Sequence, residues 1–338
     1  MSISYEHIFP ENYISKLDIR ETVAAIKQIK DYFEQKLGEE LNLTRISAPI
    51  IVRPETGLND NLSGIERPVS FDVKDFEATS EIVQSLAKWK RFALKRYDFK
   101  LGEGLYADMN AIRRDEDLGN LHSIYVDQWD WELIISKEDR NIESLKNIVK
   151  RIYKVFKKTE AYICNLYPSL TPMLPDDIYF LTAQELEDLY PHLDPDAREE
   201  AITKDKKAIF LMQIGHKLKS GEPHGVRAPD YDDWNLNGDI IFWYPVLNRA
   251  MELSSMGIRV DEKSLKEQIT LANSEDRLTM PYHKALIKGE LPLTIGGGIG
   301  QSRMCMFFMH KVHIGEVQAS VWSDETLITS KDANVILL

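Results

Sequence analysis

Cysteine is scarce in this chain of 338 residues, which contains only Cys164 and Cys305 and has no C-x-x-C pair. Both lie in apolar surroundings, so the sequence predicts two buried, free thiols in a reducing compartment. Apolar runs long enough to span a membrane are also lacking, and the N-terminus has neither the basic nor the hydrophobic region of a signal peptide. We therefore expect a cytoplasmic protein with no membrane partner.

Positive charge is in short supply as well. The chain has 42 Lys and Arg against 54 Asp and Glu, a formal net charge of −12. Such a field repels nucleic acid, so a polyanion would need a strongly local basic patch. At 43% hydrophobic and 28% charged residues, the composition is typical of a soluble globular protein with a substantial core. The length fits about two domains or one large mixed domain.

The common phosphate-loop patterns are missing from the glycine-rich segment IGGGIGQSR, residues 295–303. The spacing G-x-G-x-x-G fails, because the third position falls on Gln301 or on Arg303. A Walker A loop is excluded because the chain contains no Gly-Lys dipeptide. Glycine permits close backbone approach, and arginine is well shaped to bind phosphate or carboxylate. From this segment alone, a flexible loop leading into a core helix, with Arg303 as an incidental charge in its first turn, is slightly favoured over a phosphate site.

Hydrophobic periodicity predicts a first helix capped by Ser15, with apolar residues from Ile19 to Leu37 and an end at or just after Gly38. Further helices are predicted in SLAKWKRFALKRY, with one basic face, and in SLKNIVKRIYKVFKKTEAYIC. Strands are predicted in LTRISAPIIV, PVSFDV, FEATSEIV, LYADMNAIRR, HSIYVDQWDWEL, GDIIFWYP and MELSSMGIRV. Strands outnumber helices and short turns separate many of them, which favours an α+β fold with one large antiparallel sheet flanked by helices.

Three segments together match a known pattern. IRRDEDLGNLHSIYVDQWDWE resembles motif 2 of class II aminoacyl-tRNA synthetases, IGGGIGQSR resembles motif 3, and DYFEQKLGEELNLTRISAPIIV, with Pro49, resembles the dimer-forming motif 1. Within that class, RDEDL (114–118), the pair Gln128 and Asp130, and the lysine of SLAKWK are similar to the aspartyl branch. The resemblance implies the class II catalytic core and a homodimer formed around Pro49.

The chain resembles still more closely the aspartate–ammonia ligases, which are built on that core. The shared segments are DNLSGIE, SLAKWKR, GEGLY, YVDQWDWE, VRAPDYDDW, LNGDI, ELSSMGIRV and TIGGGIGQSR, and they run from residue 60 to residue 303. One departure is the single Asn235 between DYDDW and LNGDI, which concerns a surface loop. The resemblance implies one catalytic domain over residues 1–338 with insertions around 172–235.

The implied reaction is the ATP-dependent amidation of L-aspartate by ammonia to L-asparagine through a β-aspartyl-adenylate, with release of AMP and pyrophosphate. By resemblance, Arg113 binds the α-phosphate and Arg303 the distal phosphates, as suits planar guanidinium groups. Arg114 is the alternative to Arg113. Further ATP-binding residues implied by the resemblance are Glu116, Ser254 and Gly298, and the implied Mg²⁺ ligands are Glu252 and Asp239.

The same resemblance assigns the aspartate site. Lys90 and Arg259 are expected to bind a substrate carboxylate, and Asp130, helped by Gln128, is expected to bind the amino group. For Lys90 the alternative is one more lysine on the basic helix face. For Asp130 the alternative is a buried structural acid. Two further residues of the VRAPDYDDW segment are assigned to the aspartate site without a derived role: Arg227 and Asp232.

Ammonia is the expected nitrogen donor, because a glutaminase commonly needs a cysteine directly after the initiator methionine and Ser2 stands there. Asp60, in the ligase-like DNLSG segment, is the candidate to hold ammonium or take its proton; a turn or helix-cap role before Asn61 is the alternative. The rivals are true tRNA charging and a catalytically dead relative. No tRNA partner is expected, since the motifs leave no room for an anticodon-binding domain, and both motif arginines are present.

Overall fold

The computed structural model describes residues 7–60, 62 and 66–338. Ser2, Asn61 and residues 63–65 of the DNLSGIE segment lie outside the described residues. The strands are β1 (Leu43–Arg45), β2 (Ile51–Val52), β3 (Ser70–Val73), β4 (Phe76–Ile82), β5 (Gly104–Ile112), β6 (Tyr125–Ile134), β7 (Tyr179–Thr182), β8 (Ala208–Met212), β9 (Asp232–Tyr244), β10 (Arg249–Arg259) and β11 (Thr294–Gly300). The helices are α1 (Ile19–Leu41), α2 (Ala87–Arg96), α3 (Ile142–Leu166), α4 (Ala183–Leu189), α5 (Pro195–Lys206), α6 (Glu262–Leu271), α7 (Pro281–Ile287), α8 (Gln301–Phe308) and α9 (Asp324–Asp332).

Eight strands form one sheet in the order β1-β5-β6-β11-β10-β9-β8-β7, and β2-β4-β3 form a small second sheet. Neighbours in the large sheet are antiparallel except the two edge pairs, β1 with β5 and β7 with β8. The predicted large antiparallel sheet flanked by helices is therefore confirmed. β7 and β8, from the region predicted to hold insertions, extend that sheet at one edge.

The N-terminal helix begins three residues later than predicted. Asp18, rather than Ser15, is its cap: the Asp18 carboxylate accepts the backbone N–H of Glu21, and the Glu21 carboxylate accepts that of Asp18. Ser15 instead donates to the carbonyl of Leu17. The prediction of Ser15 as the cap is therefore wrong. At its other end, the helix continues past Gly38 to Leu41.

The segment LTRISAPIIV is not one strand, as predicted, but two short ones. Leu43–Arg45 pairs with β5 in the large sheet, whereas Ile51–Val52 pairs with β4 in the small one. Pro49 lies between them and has no N–H to give to a strand ladder, so the chain changes sheets there. Helices α6 and α7 were not predicted from the sequence at all.

The two faces of β6 have different surroundings, because side chains alternate along a strand. Trp129 and Trp131 are completely buried toward α1 and α3, where Phe33 stacks on Trp129 at 4.9 Å between ring centroids. Gln128 and Asp130 point to the opposite face. The helical layer thus forms the main core on one side and leaves polar side chains on the other. In the described ranges, no helix combines the length and apolarity that crossing a bilayer requires.

Candidate active site

A cavity of about 330 Å³ opens on the polar face of the sheet, over β6, β11, β10 and the start of β9. Most of the predicted site residues line it, although they come from distant parts of the sequence. Those lining residues are Asp60, Arg113, Glu116, Gln128, Asp130, Arg227, Asp232, Glu252, Ser254, Arg259, Gly298 and Arg303. Lys90 and Asp239 are buried behind the wall and do not line the cavity.

The glycine-rich segment is a strand in the middle of the sheet, so the flexible-loop interpretation is wrong. A Cβ on Gly298 would lie 2.2 Å from Gln128 Oε1, and one on Gly296 would lie 2.0 Å from Glu132 Oε2. Neither glycine has a left-handed φ. Glycine is therefore needed at these two positions because side chains of β6 fill the space that a Cβ would occupy. The two glycines form a thin floor under those side chains.

Arg303 lies in the first turn of α8, directly after that floor. Its Nε donates to the carbonyl of Leu121 at 3.3 Å and its Nη1 donates to the carbonyl of Glu252 at 3.0 Å. The helix start is anchored by Asp127, whose carboxylate accepts the Ser302 N–H at 3.0 Å and the Ser302 hydroxyl at 2.8 Å. Two of the five guanidinium N–H groups are thus used to fix the side chain, and three stay available to a ligand.

The structure distinguishes the two adjacent motif 2 arginines. Arg113 lines the cavity, and its buried Nε has no hydrogen-bond partner among the described residues. Arg114 is exposed and does not line the cavity. Glu116 lies 3.9 Å from Arg113; burial raises the pKa of Glu116, and the charges of Arg113 and Arg303 oppose that rise. Of these two arginines, Arg113 is therefore the one that the structure places at the cavity.

Arg259 is held between two acids at the other end of the cavity. Its Nε and Nη2 donate to the Glu132 carboxylate at 2.8–3.1 Å, and its Nη1 donates to Asp232. All three groups are almost completely buried. Because these contacts engage only one N–H of each terminal nitrogen, two N–H groups are left for a substrate carboxylate.

Lys90 is completely buried and already saturated. Its Nζ donates to Asp130 Oδ1 at 2.6 Å, to the carbonyl of Trp131 at 2.9 Å and to the carbonyl of Gly297 at 3.2 Å. The basic-face interpretation of Lys90 is therefore wrong, because the residue points into the protein. Asp130 also accepts the backbone N–H of Leu86 at 3.2 Å, so both of its oxygens are engaged.

Glu252 and Asp239 lie on neighbouring strands and provide oxygen atoms. Arg227 Nη2 donates to Asp239 Oδ2, whereas the buried Asp239 Oδ1 has no partner in the described part of the chain. Burial raises the pKa of Asp239; the charge of Arg227 opposes that rise and the charge of Glu252 adds to it. No group of three or more His, Cys, Asp or Glu positioned to hold a metal is found among the described residues. Two carboxylates nevertheless suit Mg²⁺, which usually takes one or two of them together with substrate phosphates.

Asp60 is 1% exposed, yet its side chain lines the cavity. Its Oδ1 accepts the backbone N–H of Leu62 at 3.0 Å, and its backbone carbonyl accepts a bond from Gln84 at 2.8 Å. Its Oδ2 has no partner within the described residues. Burial raises the pKa of Asp60, and the charge of Lys88 opposes the rise. A buried oxygen without a donor is an acceptor site for a ligand.

Sequence reasoning missed several residues of this cavity. Glu132, which orients Arg259, could have been found from the period-two pattern that places Gln128, Asp130 and Glu132 on one face of a strand. His122 and Tyr231 also line the cavity, and burial holds the pKa of His122 well below its ordinary value. Both stand inside segments that carry the family resemblance, but nothing in their local sequence indicates that they face a ligand.

Comparison with known proteins places this geometry in context. The family model described as aspartate-ammonia ligase matches residues 20–334. A protein of Ruminiclostridium cellulolyticum named aspartate--ammonia ligase is 64% identical over 332 residues, which cover 98% of this chain and 99% of the relative. A Clostridium tetani protein of the same name is 61% identical and is covered to 97% of its length.

Solved structures show the same fold at low identity. Asparaginyl-tRNA synthetase from Pyrococcus horikoshii complexed with asparaginyl-adenylate superposes with a TM-score of 0.67 at 13% identity, covering 90% of this chain and 71% of that one. The corresponding Entamoeba histolytica complex gives a TM-score of 0.62 at 14% identity, and this chain spans 66% of its length. The large sheet and its helices are therefore those of a class II aminoacyl-tRNA synthetase core, as predicted.

Proposed function

This chain belongs to the aspartate–ammonia ligase family, and we propose that it makes asparagine by way of a β-aspartyl-adenylate. The family itself supports synthesis of asparagine from aspartate and ammonia at the expense of ATP. In the proposed first step, a side-chain carboxylate oxygen of aspartate attacks the α-phosphorus of ATP and the bond to pyrophosphate breaks. In the second, ammonia attacks the activated carbonyl, the bond to AMP breaks, and one proton leaves the nitrogen.

The observation that supports this proposal most is the composition of one cavity. Its wall carries Arg113 and Arg303, whose guanidinium groups suit phosphates, and also the amide–acid pair Gln128 and Asp130, which suits an ammonium group. Negative charge develops on the phosphates as pyrophosphate leaves, and fixed donors stabilise it without having to reorient. Ser254 adds a buried hydroxyl with no partner among the described residues, directed to the same cavity.

For aspartate, Asp130 is proposed to bind the α-ammonium group with help from Gln128. Arg259 is proposed to bind the carboxylate that does not react, through the two N–H groups that Glu132 and Asp232 leave available. Lys90 stays a prediction as a second carboxylate ligand, because its ammonium would have to exchange one of its present contacts for the substrate. Its contact with Asp130, 2.6 Å between Nζ and Oδ1, holds that carboxylate in place.

The donor set at Glu252 and Asp239 fits Mg²⁺, and the unpartnered Asp239 Oδ1 is an oxygen that a cation would satisfy. These two residues would hold the ion against the ATP phosphates, where it would neutralise part of their charge. Arg227 donates to the other oxygen of Asp239, Oδ2, and this contact is proposed to keep the carboxylate oriented toward the ion.

Ammonia is proposed to bind as ammonium at Asp60 Oδ2 and to lose its proton there as the adenylate is attacked. The support for this assignment is that Oδ2 is buried and unpartnered in the described region and that Asp60 lines the cavity. Asp60→Asn should then weaken ammonia use while aspartate-dependent exchange of pyrophosphate into ATP is largely retained.

One assay tests the whole proposal: aspartate, ATP, Mg²⁺ and ammonium are incubated with the protein, and both the amino acid and the nucleotide products are identified. We expect asparagine, AMP and pyrophosphate in equal amounts, and pyrophosphate exchange that needs aspartate but no ammonium. Glutamine in ammonia-free buffer is the control and should support no synthesis. Release of ADP and phosphate would contradict the adenylate and with it the roles given to Arg113 and Arg303.

A further inference from the structure

One wall of the cavity is formed by residues 229–234, the segment that leads into strand β9. Tyr231 and Asp232 of this segment line the cavity, and Asp232 Oδ1 accepts a hydrogen bond from Arg259 Nη1. The ladder between β9 and β10 begins at Asp232, which lies opposite Arg259. The contacts that hold this segment therefore decide where the Asp232 carboxylate lies.

Gln268, on α6, holds the segment from behind through three hydrogen bonds to its backbone. The Nε2 of Gln268 donates to the carbonyl of Pro229 at 3.1 Å and to the carbonyl of Asp232 at 2.9 Å. Its Oε1 accepts the backbone N–H of Trp234 at 2.9 Å. Gln268 is 2% exposed and does not line the cavity. Because both N–H groups of the amide and its oxygen are engaged, the side chain is fixed in one orientation.

A second set of contacts holds the same segment at Asp230, which is completely buried. Asp230 Oδ2 lies 3.1 Å from Arg277 Nη1, 2.9 Å from His283 Nε2 and 3.3 Å from Lys88 Nζ. Arg277 belongs to the short 3₁₀ helix Glu275–Thr279, and His283 belongs to α7. The helical segment from α6 to α7, which the proposed chemistry does not use, thus braces the cavity wall from outside.

Gln268 connects this brace to the guanidinium group of Arg259. It fixes the carbonyl of Asp232, and the carboxylate of that same residue accepts from Arg259. A Cβ at Gly257 would lie 2.8 Å from Asp232 Oδ1, so the carboxylate fits directly against the backbone of β10. Glu132 holds Arg259 on its other side at 2.8–3.1 Å. The orientation of the guanidinium plane therefore depends on both acids, and the position of one of them depends on Gln268.

We propose that Gln268 is a positioning residue for aspartate. By fixing the backbone of residues 229–234, it sets the Asp232 carboxylate against Arg259 and so directs the remaining N–H groups of Arg259 toward the carboxylate that does not react. Gln268 acts through Asp232, since it does not itself line the cavity. The inference rests on the proposed role of Arg259 and deepens it: α6 helps to select substrates that carry a second carboxylate.

The test is Gln268→Met, which keeps the length of the side chain and removes all three hydrogen bonds. Glu267→Met is the matched control, because Glu267 is the preceding residue of α6, is exposed, and lies 3.9 Å from the equally exposed Lys263. The assay is pyrophosphate exchange without ammonium, with aspartate as the substrate and two competing ligands. Succinate lacks the amino group of aspartate and keeps both carboxylates. β-Alanine lacks the unreacting carboxylate and keeps the amino group.

We expect the KM for aspartate and the inhibition constant of succinate each to rise about tenfold in Gln268→Met, the loss that follows from one hydrogen bond to a charged group. The inhibition constant of β-alanine and the KM for ATP should change less than about twofold, because neither ligand uses Arg259. These constants describe the folded molecules, so they are measurable even when part of a preparation is unfolded. Glu267→Met should match the unchanged protein in all four constants.

A double-mutant cycle tests whether Gln268 acts through Asp232. Asp232→Asn alone should raise the constants for aspartate and succinate and leave those for β-alanine and ATP unchanged. Adding Gln268→Met to Asp232→Asn should raise the KM for aspartate no further, because both changes remove the same contact. Increases that multiply in the double variant would overturn the inference. So would an unchanged KM for aspartate in Gln268→Met, or an equal change in all four constants, which assigns Gln268 to folding.

Arg259→Lys separates a failure of this inference from a failure of the proposed function. If Arg259→Lys changes the constants of succinate and β-alanine to the same extent, Arg259 does not bind the unreacting carboxylate and its proposed role fails. If Arg259→Lys raises the constant of succinate alone and Gln268→Met does not, the role of Arg259 stands and only the inference about Gln268 fails.

Discussion

Replacing Arg303 by alanine should stop adenylate formation while leaving the protein folded. The side chain is fixed by two hydrogen bonds to backbone carbonyls, those of Leu121 and Glu252, and by the helix start that Asp127 anchors. Neither carbonyl is deep in the core, because both residues line the cavity. Water can therefore replace the guanidinium at both positions.

The expected loss of folding stability and the expected loss of reaction rate differ enough to be measured separately. Losing two hydrogen bonds that water can replace should lower the free energy of unfolding by about 1–2 kcal/mol. Losing a preorganised charge at the leaving pyrophosphate should reduce the rate of adenylate formation by about 100- to 1,000-fold, or roughly 3–4 kcal/mol in the transition state. Arg303→Lys keeps the charge but not the planar guanidinium group, so its rate of adenylate formation should lie between the rates of the unchanged protein and of Arg303→Ala.

The assay is aspartate-dependent exchange of pyrophosphate into ATP without ammonium, measured beside denaturant unfolding of the same preparations. Exchange at the unchanged rate in Arg303→Ala would return Arg303 to an incidental charge at a helix start. A loss of exchange that merely follows the unfolded fraction would assign it to stability. Either result refutes the argument from geometry.

Three further outcomes are expected. Gly298→Ala should raise the KM for aspartate, because its Cβ would lie 2.2 Å from Gln128 Oε1 and displace that amide; an unchanged KM in steady-state kinetics would contradict this. Burial lowers the pKa of His313 to about 3, below its value near 6.5 in the unfolded chain, so the unfolded state binds the extra proton between these pH values. The free energy of unfolding should thus fall as pH drops from about 6.5, by at most about 1.4 kcal/mol per pH unit, and the fall should be smaller in denaturant titrations of His313→Gln. Sedimentation should give a homodimer formed through the segment around Pro49, and a fully active monomer of 39.0 kDa would rule it out.

Much of the fold and part of the site could be predicted from local patterns. The period-two alternation of β6 and the helical spacing of α1 and α3 are visible in the sequence because each element buries one face. The resemblance then placed Arg113, Arg303 and Asp130 in one region. All three line one cavity in the structure, which agrees with that placement.

The rest depends on contacts between residues far apart in the sequence. Lys88 and Lys90 look like members of a solvated basic face. In the structure each is buried and paired with an acid, Lys88 with Asp230 at a separation of 142 positions and Lys90 with Asp130 at a separation of 40. Ser15 and Asp18 are both good caps, and the choice between them is decided by Glu21 reaching back. Such choices follow from tertiary partners that no local window contains.

The glycine floor of β11 also limits how this protein can be redesigned. Every side chain that could be added at Gly296 or Gly298 occupies volume already taken by Glu132 or Gln128, so neither glycine can be enlarged alone to reshape the pocket. A different acyl substrate would instead require shorter side chains on β6. Each shortened side chain would leave a void next to β11, because the glycines there have no side chain to fill it. Mutational libraries aimed at new amide products are therefore best directed at β6 together with its glycine partner, varied as pairs.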